Sequence, residues 1–131
     1  MLAAVVVAAV VAHIPAPVRG DFDHDGRPDV AEIVPSQGGA FHLVIRLGAR
    51  HHRVFVVDTL KQQELADFFL AKAKPGRWRT WCGKGGDASD GPCRRTSVRL
   101  RGDTLDFGTK ESSEAVAVWT GTRFETVWLS D

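Results

Sequence analysis

The chain has 131 residues, 44% of them hydrophobic, with 17 basic and 16 acidic side chains and a formal net charge of +1. That length supports one domain with its own core and not two ordinary ones. The hydrophobic content excludes a disordered chain, and the charge balance gives no reason to expect nucleic acid or an anionic membrane surface as a partner.

The first residues, MLAAVVVAAVVA, are apolar and uncharged. The run falls short of the about 20 residues that a membrane-spanning helix needs. Its length fits the apolar core of a secretory signal peptide, with Val10 and Ala12 placed as the small residues before a cut that leaves 13–131 as one domain. So read, the protein is exported, periplasmic or secreted, with no transmembrane segment after processing. A buried valine-rich strand is the competing reading, because the only positive charge ahead of the run is the α-amino group.

After a Pro-containing lead-in, the acid-rich stretch GDFDHDGRPDVAE runs from Gly20 to Glu32. A short β-branched strand follows over 30–34, closed by Pro35. Residues 40–47 alternate, with Phe41, Leu43, Ile45 and Leu47 on one face, and a hairpin connection leads into 52–58. His51 and His52 fall at its tip. Residues 59–69, TLKQQELADFF, read as a helix of two to three turns, with Thr59 and Gln62 spaced as in a capping box. The next segment predicts a strand that turns at Pro75-Gly76 into a hairpin with RWRTWC. Strands rich in Val, Thr and aromatics return from 95 onward, with Trp119 and Trp128 as core candidates. The pattern predicts a mainly β fold, an antiparallel sandwich or small barrel-like sheet pair with one short helix.

Cys82 and Cys93 are the only cysteines, closing a Gly/Asp/Ser-rich loop. An even count around a short loop suits a disulfide in an exported protein. Zinc would need further ligands at close spacing, and none are adjacent. Asp87 and Asp90 in that loop read as a solvated turn more readily than as a second cation site.

The acids of the first loop carry the chemistry. Ca²⁺ takes six to eight hard oxygens at about 2.3–2.6 Å. Asp21, Asp23 and Asp25 alternate around a tight turn that Gly26 permits, and Asp29 completes the ring. Arg27 contributes its backbone carbonyl, and His24 faces water. Glu32 falls at the twelfth position, where a helix-loop-helix site places a bidentate glutamate. Pro28 and the β-branched run predict that the chain leaves as a strand instead, which turns Glu32 to the side of Val30.

The segment GDFDHDGRPDVAEI resembles the calcium-binding loop of FG-GAP and VCBS repeats, in which D-x-D-x-D-G-x-x-D joins strands without flanking helices. The resemblance covers about 15 residues, and a propeller of such repeats needs several loops where this chain has one. It implies side-chain ligation by Asp21, Asp23, Asp25 and Asp29 and carbonyl ligation by Arg27, and it brings no enzymatic activity. GDTLDFG (102–108) echoes the loop without the acid that corresponds to Asp23.

These readings converge on an exported, non-enzymatic calcium-binding β-domain with a structural or interaction role, its partner an exported protein or a cell-envelope glycan. The alternative is a glycan- or protein-binding module using Trp78 or Trp81 and the disulfide loop. A small hydrolase ranks third: no nucleophile elbow, zinc-protease motif or phosphate loop is present, though carboxylates paired in space are invisible to sequence spacing.

Overall fold

Ten antiparallel strands rich in β-branched and aromatic residues make up the computed structural model, which describes residues 3–4, 13–86 and 92–130. All but Ala3 and Ala4 of the expected signal peptide, together with Asp87 and Asp90, lie outside those residues. Strands β1 (Val18–Gly20), β2 (Asp29–Pro35), β3 (Ala40–Arg46) and β4 (Val54–Lys61) form a first sheet in that order. The second sheet has the order β10-β9-β8-β5, from β5 (Phe68–Lys72), β8 (Leu105–Thr109), β9 (Ser113–Trp119) and β10 (Phe124–Ser130). Strands β6 (Gly76–Arg79) and β7 (Ser97–Leu100) make a separate two-stranded ribbon.

The second sheet is buried on both faces, which makes a three-layer arrangement. One face packs Phe68, Leu105, Phe107, Ala115 and Ala117 against Ala31, Ile33, Leu43, Ile45 and Leu47 of the first sheet and its margin. Each large side chain fully buried in this layer stabilises the fold by about 1.5–3 kcal/mol. The opposite face, with Val116, Val127 and Leu129, takes Val98 and Leu100 of the ribbon. Phe55 on β4 meets Trp119 edge-on at 5.6 Å and Phe124 at 5.4 Å, fastening one margin of the first sheet to β9 and β10. The expected antiparallel sandwich is therefore present, with no closed barrel and a ribbon added on its far side.

Three local expectations are corrected. The helix expected over 59–69 is absent: Thr59–Lys61 continue β4, Gln62–Asp67 make a six-residue 3₁₀ segment, and Phe68 opens β5. Pairing of Phe41 with Leu60 and of Ala40 with Lys61 holds the first part extended, and the remainder is too short to sustain an α-helix. Leu60, Leu65 and Phe68 are buried all the same, so the apolar spacing served two sheets and not a helical stripe. The strand before Pro75 does not form a hairpin with RWRTWC, because β5 joins β8 while β6 joins β7. Trp128 is 46% exposed. It sits on edge strand β10, where Val127 and Leu129 take the positions facing the ribbon.

Cys82 and Cys93 are joined, with Cα atoms 5.6 Å apart, across the connection between β6 and β7. Closing a loop of this size stabilises the domain by about 3 kcal/mol in the chain-entropy account. No helix among the described residues is long and apolar enough to cross a membrane.

Candidate metal centre

The acidic loop is the connection of a β-hairpin. Gly20 pairs with Asp29, so the chain from Asp21 to Pro28 is held at both ends by strands and by no helix. Phe22 anchors it, fully buried between the sheets. A side chain at Gly20 would press within 3.0 Å of the Phe22 ring. Gly26 has φ +86°, the left-handed turn anticipated after Asp25.

Asp29 organises the loop. It is 0% exposed. One carboxylate oxygen accepts the amides of Phe22 (2.8 Å) and Asp23 (3.2 Å), and the other accepts that of Gly48 (2.8 Å) beyond β3. Gly48 must be glycine here, since a Cβ would fall 2.1 Å from the Pro28 carbonyl oxygen. Asp21 gathers the far side of the turn, accepting the amides of Asp25 (3.0 Å) and Gly26 (2.9 Å). Its own amide donates to Asp103 (2.9 Å) in the turn before β8. Among the described residues the echo segment contributes no acid to a metal-sized group. Its Asp103 braces the first loop, and Gly102 sits against His24, which is exposed.

The result is a group of three carboxylates. One oxygen from each of Asp21, Asp23 and Asp29 lies within 4.8 Å of the others, a separation that one ion with oxygens at about 2.4 Å can bridge. Asp23 is 4% exposed. Its Oδ2 accepts Arg50 Nε at 3.3 Å, and its Oδ1 is buried with no hydrogen-bond partner. An orphaned buried carboxylate oxygen costs about 1–3 kcal/mol or more. Burial, the adjoining Asp25 carboxyl and the Asp29 charge push the Asp23 carboxyl up to about 6. Asp25 is exposed, and its carboxyl is held below the usual range, first by the Arg27 amide that it accepts at 2.9 Å.

Not every expected ligand joins the group. Asp25 lies beside Asp23 on the solvent side, and the Arg27 side chain is exposed. Glu32 stands on the face of β2 opposite to Asp29, as strand alternation requires, and pairs with Arg46 at 3.6 Å. Arg50 was not legible as a participant. It lies at the β3–β4 tip, 27 residues from Asp23, where Arg50, His51 and His52 all take left-handed backbone angles and the two histidines are exposed. Its guanidinium also sits 5.5 Å from the Trp119 ring.

The tryptophans proposed for partner binding are largely committed. Trp78 is half-buried against the ribbon core and donates its Nε1–H to the Lys74 carbonyl at 2.9 Å. Trp81 lies against Gly86, where a Cβ would fall 2.2 Å from its ring, and its amide donates to Trp128 at 2.8 Å.

A second carboxylate pair comes only from the tertiary structure. Asp106 on β8 and Glu114 on β9 are diagonal neighbours on one sheet face. Burial and then the Glu114 charge push the Asp106 carboxyl up to about 7, and its Oδ1 has no partner. The folded state therefore holds this proton more tightly than the unfolded chain does between pH 3.8 and about 7. Stability falls as pH rises through that window, with the full penalty above it. Asp106→Asn is expected to remove roughly 1–2 kcal/mol of that loss after solvent screening. Urea midpoints at pH 5 and pH 8 check this: the wild type should lose more stability between them than the variant does.

Comparison of the chain with known protein families, with curated proteins and with solved structures finds no match in any of the three.

Proposed function

We propose that the chain is an exported calcium-binding β-domain without enzymatic activity, in which the ion clamps the β1–β2 loop onto the β3–β4 tip. The observation that carries this reading is the buried, unpartnered Asp23 Oδ1 inside the group formed with Asp21 and Asp29. Three carboxylates this close repel one another, and among the described residues only the exposed Arg50 guanidinium forms an ion pair with them. A divalent cation satisfies the orphaned oxygen and cancels the repulsion together. By the resemblance to FG-GAP and VCBS loops, Asp25 and the Arg27 carbonyl would complete the shell. Glu32, engaged with Arg46, is left out of it. The Cys82–Cys93 bond supports a periplasmic or secreted location.

Calorimetric titration with CaCl₂ tests the assignment. One site is expected with a dissociation constant of about 10⁻⁴–10⁻³ M, as in extracellular modules, and Asp23→Ala should abolish it. Absence of calcium heat in the wild type, or equal binding by the variant, counts against the site.

A further inference from the structure

We propose that the outer face of the β6–β7 ribbon docks an acidic, carboxylate-bearing polysaccharide. The net charge of +1 conceals a strong separation, since residues 72–101 hold nine of the 17 basic side chains and, of the acids, only Asp87 and Asp90. Strand alternation sorts that charge. Trp78, Val98 and Leu100 turn to the core, which leaves Arg77, Arg79 and Arg99 exposed on the other side, with Arg101 at the ribbon's end. The register sets Arg77 directly opposite Arg99.

Like charges facing each other across strands are destabilising. Among the described residues no carboxylate pairs with Arg77, Arg99 or Arg101. Arg95 at the margin reaches Glu125 at 3.6 Å, and Arg79 donates to the Gly83 carbonyl at 2.7 Å. An anionic ligand removes the repulsion. The Cβ atoms from which these side chains spring lie about 5 Å apart on opposed strands and about 7 Å apart at alternate positions of one strand. That puts planar, bidentate donors side by side on one exposed face, suited to carboxylates repeated along a polymer.

Three observations favour a glycan among polyanions. The disulfide that spans the connection between these two strands belongs to an oxidising compartment, away from cytosolic nucleic acid. Single-stranded nucleic acid is held by exposed aromatic rings, and Trp78 is turned inward. Bilayer docking needs apolar side chains on the charged face, and the strand positions Arg77, Arg79, Ser97 and Arg99 offer none.

The test is fluorescence anisotropy with a labelled hyaluronan oligosaccharide, in EDTA so that the result is independent of the calcium site. Neutral dextran, single-stranded DNA and phosphatidylglycerol vesicles serve as comparisons. Hyaluronan is expected to bind, dextran not, with affinity falling as salt is added. The double variant Arg77→Ser/Arg99→Ser should bind about tenfold more weakly, losing two solvent-exposed ion pairs, without a lower melting temperature. Arg123→Ser, an exposed arginine off the ribbon, should bind as the wild type does. Failure of hyaluronan to bind, equal binding by the double variant, or tighter binding of DNA or vesicles than of hyaluronan overturns the assignment.

Discussion

Replacing Asp29 by alanine is expected to destabilise the domain by about 3–5 kcal/mol even without calcium. The substitution leaves the amides of Phe22, Asp23 and Gly48 without their acceptor, and each orphaned buried donor costs about 1–3 kcal/mol. Relief from burying a carboxylate beside Asp23 offsets part of that sum, which sets the upper end. Asp29→Asn should cost less, because it keeps one carbonyl oxygen for these donors. Urea denaturation in EDTA measures both. A loss under about 1 kcal/mol for the alanine variant would show that Asp29 is not the hub of the loop.

Calcium is expected to raise stability by about 2.7 kcal/mol at 100 times its dissociation constant, or about 10 °C in melting temperature for a domain of this size. Asp23→Asn should separate the cation-free state from the calcium-loaded one. In EDTA it removes a buried charge whose carboxyl is pushed up to about 6 by burial and by Asp25 and Asp29, so the cation-free protein should melt higher. In calcium it should gain nothing further. Differential scanning calorimetry of both proteins with calcium and with EDTA gives all four values. A wild type indifferent to calcium, or a variant that still responds to it, would rule out Asp23 as a ligand.

Much of the site was legible because its residues are local. Alternate acids, a left-handed glycine and a proline within ten residues specify a tight strand-to-strand loop, and the structure places Asp21, Asp23 and Asp29 together. The position of Glu32 follows from the same reasoning, once β2 begins at Asp29 and alternation carries Glu32 to the other face. Arg50 and Asp103 reach the loop from turns far along the chain, and no local pattern marks them. For Asp103 the only local signal is the echo GDTLDFG, which marks a similar turn and not its contact with the first loop.

The sequence by itself determined strands such as β3, where Phe41, Leu43 and Ile45 alternate with His42, Val44 and Arg46. It also determined the disulfide partners, since only two cysteines exist. The tertiary structure alone decided which strands pair across sheets. The 59–69 segment has helical spacing, yet pairing with β3 and burial of Leu65 and Phe68 between layers outweighed its weak local preference. Strand pairing likewise brought Asp106 to Glu114 across the β8–β9 hairpin and set Arg77 against Arg99. Charge proximity across strands depends on register, and register is settled by the core that the strands share.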